Sequence, residues 1–372
     1  MLSKHVTKDL SAYCHGELPP DKARELAEHL IGCSRCRMEF EEIKLGIKLA
    51  EQLPQFQAPD SIWPELERLW ETRAGASEDA FKPKSQSQRP GRFLAIAAVI
   101  LLALGIGSFL WLRNLSAPSW EVARLDGSPR IGSALINGKG RLAVGQWLET
   151  DGSSRAQIDV GSIGQVQVDP NTRIRLLQTQ PTEHRLELAR GRMSAKIWAP
   201  PRLFFVDTPS AVAADLGCAY TLEVNDEGGS LLQVTAGWVA LELRDRESMV
   251  PAGAACQTRP GIGPGTPYFE DASENFRASL VKFDFENGNT GMPLKTILSE
   301  ARPRDSLTLW HLLSRVTDAD RGLVYDRLAR LAPPPAGVTR EGVLQLDRNM
   351  LELWKTELEN LWTNTDGSFG KK

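Results

Sequence analysis

The chain has 372 residues, 41% hydrophobic and 24% charged, with a formal net charge of -3. This length exceeds one ordinary domain. The slightly acidic balance argues against a nucleic-acid binder, which is usually basic, and Met1 to Ala74 are themselves slightly acidic.

In chain order, HVTKDLSAYCHGELPP carries Leu10 and Tyr13 at helical spacing and stops at Gly16 and the Pro19-Pro20 pair. DKARELAEHLIG then predicts a second short helix, with Asp21 as cap and Leu26 and Leu30 one turn apart. The most informative spacing follows: His29, Cys33 and Cys36 form H-x-x-x-C-x-x-C. The i and i+4 positions put His29 and Cys33 on one helix face, and Cys36 returns from the start of the next helix. Two thiolates and an imidazole suit Zn2+, and a closed structural zinc site takes four ligands. His5, Cys14 and His15 are candidates for the fourth; His5 is preferred and Cys14 is the alternative. A thioredoxin-like redox pair is disfavoured, because no strand precedes the motif and that reading leaves the His unexplained.

After Cys36 the helical pattern runs through Phe40, Ile43, Ile47 and Ala50, a core stripe. A fourth helix, DSIWPELERLWETRA, carries Trp63 and Trp70, which fold back on the bundle or dock on a partner. LSAYCHGEL followed by AEHLIGCSRC resembles the zinc-binding anti-sigma factor domain over roughly the first fifty residues. The resemblance implies a helical bundle that sequesters an extracytoplasmic-function sigma factor. Ser3 and His5 stand where many members carry a Cys, and Cys14-His15 replaces the common Leu-Asp.

GASEDAFKPKSQSQRPG is polar and reads as a flexible tether, residues 75–92. Phe93 to Leu112 then run for twenty residues without a charge, Asn, Gln or Pro, matching the hydrocarbon thickness of a bilayer. A single transmembrane helix is the expectation over 93–112. Lys84, Arg89 and Arg92 precede it closely and only Arg113 follows in the next ten residues, which favours a cytoplasmic N-terminus. The cysteines agree. Cys33 and Cys36 suit a reducing compartment, whereas Cys218 and Cys256, beyond the span, could pair in an oxidising one. The bacterial inner membrane, with the C-terminal part periplasmic, is the expected location.

Beyond the span the period becomes strand-like. Ile158, Val160, Ile163, Val166 and Val168 are apolar in QIDVGSIGQVQVDPNTRIRLL, with Asp169-Pro170-Asn171 as a turn. RLELARGRMSAKIW, LFFVDTP, YTLEV and LLQVTAGWVALEL repeat the theme, predicting an all-β sandwich or roll over 118–270. No catalytic elbow or phosphate loop is present, so no enzyme is expected. His184 falls in a polar segment and is expected at the surface.

GQWLETDGSSRAQIDVG, DPNTRIRLL, LARGRMSAKI, VDTPSAVAADLGCAYTLEV and LLQVTAGWVAL together resemble the FecR family of transmembrane sensors over roughly 140 residues. The resemblance implies an extracytoplasmic domain that receives an envelope signal and passes it inward to a sigma factor. Gly217-Cys218 stands where Gly-Thr is usual, and Tyr220 where Phe is usual.

Cys218 and Cys256, 38 residues apart, are a possible disulfide or two separately buried thiols. VPAGAACQTRPGIGPGTPYF reads as loop. Residues 271–372 return to helical periodicity, with His311 in LTLWHLL as a packed residue, and either cover the β domain or bind a partner. The fold class is therefore multidomain: a small all-α zinc bundle (1–74), one transmembrane helix, a β sandwich or roll, and a C-terminal helical segment. The function expected is that of a membrane-anchored anti-sigma factor. A membrane-anchored scaffold with a structural zinc domain and no sigma partner is the alternative.

Overall fold

The computed structural model describes residues 6–14, 18–19, 22, 25–26, 29–30, 33–51, 118–161, 163–180, 182–286 and 291–363. The expected fourth helix, the tether, the span at 93–112 and His5 lie outside the described residues. Among those described, no helix is long and apolar enough to cross a membrane. The chain divides into two compact units, residues 1–43 with 118–372 and residues 44–117.

In the N-terminal part, a 3-10 turn at Thr7–Asp9 leads into α1 (Leu10–Cys14), and α2 spans Ser34–Glu51. Leu10, Tyr13, Cys14, Leu26, Leu30, Cys36 and Phe40 are buried, and the Tyr13 and Phe40 rings lie 5.9 Å apart. So small a core buries little apolar surface.

The β region opens with β1 (Ser119–Asp126), β2 (Arg130–Ile131), β3 (Ala134–Leu135), β4 (Lys139–Ala143) and β5 (Trp147–Glu149). It continues with β6 (Arg155–Val160), β7 (Gly164–Val168), β8 (Arg173–Gln180) and the fifteen-residue β9 (Glu183–Ile197). Then come β10 (Phe204–Asp207), β11 (Val212–Asp215), β12 (Ala219–Val224), β13 (Ser230–Ala236) and β14 (Trp238–Leu243). β15 (Arg246–Pro251), β16 (Ala254–Arg259), β17 (Gly263–Pro264) and β18 (Tyr268–Phe269) complete it.

Two sheets result, and β9 belongs to both. Its residues 183–190 pair with β8 and, in parallel, with β10; residues 191–197 pair antiparallel with β7 and β12. One sheet runs β4-β1-β6-β7-β9-β12-β13-β16, and the other runs β3-β2-β5-β8-β9-β10-β11-β14-β15. Alternation dictates the inner faces: Ala156, Ile158 and Val160 of β6 and Val166 and Val168 of β7 point inward and are fully buried. At Asp169-Pro170-Asn171 the chain turns between sheets, with Asn171 in the left-handed region at φ 56°.

Other changes of sheet fall at glycines. β13 lies in one sheet and β14 in the other, joined by Gly237 at φ 70°, where a Cβ would stand 2.1 Å from the Gly217 carbonyl oxygen. Within β9, Gly191 sits against Thr172, and a Cβ there would meet Thr172 Oγ1 at 2.4 Å. Only glycine permits backbones to approach this closely in that conformation. Residues 250–269, read from sequence as loop, instead contribute the end of β15, all of β16 and two short strands. Their glycines and prolines mark the corner at Ala252-Gly253 and the turn after Arg259, and Ala254, Ala255 and Cys256 between them are buried.

The C-terminal segment forms α3 (Glu274–Phe285), α4 (Met292–Glu300), α5 (Ser306–Leu313), α6 (Asp318–Leu331), α7 (Arg340–Leu344) and α8 (Arg348–Thr363). Ser273 caps α3 through the Phe276 N–H. The choice left open by the sequence is decided: these helices share one continuous buried core with the sheets. α8 places Trp354, Leu358 and Trp362 on one stripe, all buried; Trp362 lies 6.1 Å from Trp238 of β14 and 6.3 Å from Trp310 of α5, and its indole N–H donates to Ser306 Oγ at 2.9 Å.

Of the two readings left open for Cys218 and Cys256, a disulfide or two separately buried thiols, the structure has the second: both thiols are free and buried. Cys256 pairs with Leu232, and Leu232 with Leu222. Cys218 is therefore two strands across and four residues along, roughly 16 Å from Cys256 at ordinary sheet spacings. A disulfide requires Cα atoms within about 7 Å. The sequence separation of 38 residues carried no information about this register.

Candidate metal centre

His29, Cys33 and Cys36 converge as the spacing predicted, their donor atoms all within 4.8 Å of one another. Local helix geometry accounts for this. The Cys33 N–H bonds to the His29 carbonyl at 2.9 Å, closing one helix, and the Cys33 carbonyl accepts the Arg37 N–H at 3.1 Å, opening α2. Cys33 is thus the hinge between two helices, and Cys36 occupies the first turn of the second. His29 Nε2 lies 3.3 Å from Cys36 Sγ. Cys36 is fully buried, while His29 and Cys33 are half-buried.

The electrostatics at this helix start favour thiolate at Cys33 and oppose it at Cys36. The Cys36 backbone N–H, donated towards Cys33, holds the Cys33 thiol below its ordinary pKa, while burial pushes Cys36 up. Tetrahedral zinc separates sulfur and nitrogen ligands by about 3.5–3.8 Å. The three donors fit that ion by type and are gathered closely enough to converge on it. Among the described residues Cys14 is buried on α1 and does not join the cluster; His5 lies outside the described residues.

Two histidines lie away from this centre, one in the β region and one in helix α5. His184, expected at the surface, instead sits on β9, half-buried, its ring 5.8 Å from Trp120. Thr179 Oγ1 accepts the Trp120 indole N–H and faces His184 Nδ1, both at 3.0 Å. Burial lowers the His184 pKa to about 4. His311 is packed as expected, and burial lowers its pKa to about 3.

Sequence reasoning missed a buried acid. Asp215 ends β11 fully inside, its Oδ1 accepting the Gly217 N–H at 2.7 Å and its Oδ2 the Cys218 thiol at 2.6 Å. The available signal was an Asp closing the otherwise apolar run AVAAD. A second missed group is the ionic knot of Arg315, Asp284 and Arg246: Asp284 bonds Thr266 and Arg246, and Arg315 donates to Thr266, Ser248 and the Glu247 carbonyl. It ties α3 and α5 to β15.

Comparison with known proteins bears on both parts. Residues 4–37 match the family described as "Putative zinc-finger", and residues 146–240 match the family described as "FecR protein". The chain joins a zinc-finger segment to a FecR-type β domain. The first match contains all three converging donors, and the second runs from β5 through β14. No curated protein matches. Two crystal structures of "a putative anti-sigma factor from Parabacteroides distasonis ATCC 8503" align at 14% and 16% identity with TM-scores of 0.30 and 0.29. Each alignment covers 37% of this chain and 64% of the other, and a likeness this low carries no argument.

Proposed function

We propose that this protein is a single-pass membrane transducer whose zinc-finger segment sequesters an extracytoplasmic-function sigma factor and whose FecR-type domain receives an envelope signal. The observation that carries the reading is the order of parts: a Cys/His cluster at residues 29–36 and a FecR-type β domain from residue 146, on either side of the twenty-residue apolar stretch 93–112. Lys84, Arg89 and Arg92 before that stretch support a cytoplasmic zinc segment and a periplasmic β domain.

In this reading zinc is structural. His29, Cys33, Cys36 and, as fourth ligand, His5 close its coordination, and the protein has no catalytic role. The zinc pins helical segments whose small core buries too little apolar surface to hold together alone. The sigma factor docks on the small helical bundle, and release follows a signal at the β domain.

Co-purification of the full chain in mild detergent with the sigma factors of its host tests the reading. Recovery of one sigma factor, lost on Cys33→Ser/Cys36→Ser substitution, is expected. Failure to retain any sigma factor overturns it.

A further inference from the structure

We propose that Asp215, Cys218 and Tyr220 form a proton-operated latch at the corner that joins the two sheets of the β domain. With the Asp215 carboxyl protonated the corner is closed, and loss of that proton opens the turn between β11 and β12. This inference goes beyond the proposed function and does not depend on it.

Asp215 is 1% exposed, and Tyr220 is 2% exposed with a phenol oxygen that has no hydrogen-bond partner. The Asp215 carboxyl has two donors, the Gly217 N–H and the Cys218 thiol, and among the described residues no cation bonds it. It faces Cys218 in the turn and Tyr220 of β12, and its register partner on β14 is the apolar Val239. Arg202 bonds the Asp215 carbonyl only through its backbone N–H, at 2.7 Å, while its guanidinium reaches away to Glu242 and Glu247. Lys196 on β9, across from Ala219, is exposed. A carboxylate held in such a place lacks the pairing a buried charge requires.

Position gives the acid its leverage. Asp215 closes β11 in one sheet and Cys218 precedes β12 in the other, so the turn between them is a sheet-to-sheet corner. The Leu216 N–H bonds to the Trp238 carbonyl at 3.2 Å, the Ile197 N–H bonds to the Cys218 carbonyl at 2.9 Å, and Gly237 packs against the Gly217 oxygen. Opening the turn therefore loosens β9, β12 and β14 together.

Burial raises the Asp215 pKa to about 7, against the lowering effect of the Cys218 thiol and of the Gly217 and Cys218 backbone N–H groups. The closed corner thus binds a proton that the open, hydrated corner releases to water from an ordinary carboxyl. No other bond changes. Because one unit of pKa difference is tenfold in the opening equilibrium, opening rises about tenfold per pH unit from about 4 to 7 and levels off above 7.

Amide hydrogen exchange of the full chain in mild detergent, corrected for intrinsic rates, reads this directly. Protection at residues 216–221 is expected to fall about tenfold per pH unit between pH 5 and 7, while amides of β6 and β7 show no such fall. Asp215→Asn is expected to abolish the slope. Cys218→Val, which keeps bulk and removes the S–H donor, is expected to move the levelling point upward. A flat wild-type profile overturns the latch, whether or not the Asn variant folds. So does a slope retained in Asp215→Asn, or a levelling point unmoved in Cys218→Val.

Discussion

His311 Nε2 accepts the backbone N–H of Met249 at 3.1 Å, while Nδ1 of the same ring lies 2.9 Å from the Leu307 carbonyl. One tautomer satisfies both partners: Nδ1 carries the proton and Nε2 accepts. Met249 lies in β15, whose only strand partner among the described residues is β14, and one turn on Arg315 donates to the Glu247 carbonyl of the same strand. Two side chains at the end of α5 thereby take over hydrogen bonds that a neighbouring strand would make, and the exposed edge is closed.

Removing the ring leaves a buried N–H without a partner. His311→Ala is expected to destabilise the β domain by about 2–4 kcal/mol, combining the orphaned donor with the cavity. His311→Gln, which can still accept from Met249, is expected to cost less. Chemical denaturation followed by tryptophan fluorescence measures both; equal losses would contradict the edge-capping role.

The same histidines make the fold acid-sensitive. Burial lowers His311 to about 3 and His184 to about 4 from an ordinary value of 6.5. Between those values the unfolded chain binds protons that the native one refuses. Their contribution is complete above about 6.5 and is lost progressively as pH falls towards 3. Melting temperature is expected to drop from pH 6.5 to 4, and His311→Gln is expected to flatten that slope.

Chelation tests the metal centre. Elemental analysis of the purified chain is expected to give about one zinc per chain, falling to near zero in Cys36→Ser. A strong chelator is expected to reduce the helical signal of the N-terminal part and to leave the β domain's melting unchanged. A zinc content indifferent to the Cys36 substitution would refute the site.

Gly237 and Gly132 give a controlled pair. Both have positive φ, 70° and 57°, but a Cβ on Gly237 meets a carbonyl oxygen at 2.1 Å whereas one on Gly132 meets nothing within 4 Å. Gly132→Ala is expected to cost about 1 kcal/mol, the penalty of the backbone region alone. Gly237→Ala is expected to cost at least about 3 kcal/mol or to prevent folding. Similar losses at the two positions would show that the corner is not tightly packed.

Trp362 closes the helical cover. Trp362→Ala removes its packing on Trp238 and Trp310 and its bond to Ser306, and is expected to cost about 3–5 kcal/mol. Limited proteolysis is expected to cut within α8 first.

Several features were legible in the residues because they depend on neighbours close in sequence. His29, Cys33 and Cys36 lie within eight residues, so helix geometry alone brings them together. The inward residues of β6 and β7 follow from two-residue alternation, and the Asp169-Pro170-Asn171 turn from the conformations those residues prefer. His311 read as packed because its neighbours in LTLWHLL are apolar. His184 misled because the residues beside it are polar, and the Trp120 that covers it lies far away in the chain.

The sequence by itself determined a zinc-type donor set, a strand-rich region with inner faces assigned, an apolar stretch of membrane length and a helical C-terminal segment. Each is a local pattern, written in the helical and strand periods that the backbone imposes. Only the tertiary structure decided that β9 serves both sheets, that Cys218 and Cys256 stand apart, that the C-terminal helices seal the β15 edge, and that Asp215 is buried without a countercharge. Those outcomes depend on strand register and on which distant faces meet. They are selected by the summed packing of many partners, so no short stretch of residues encodes them.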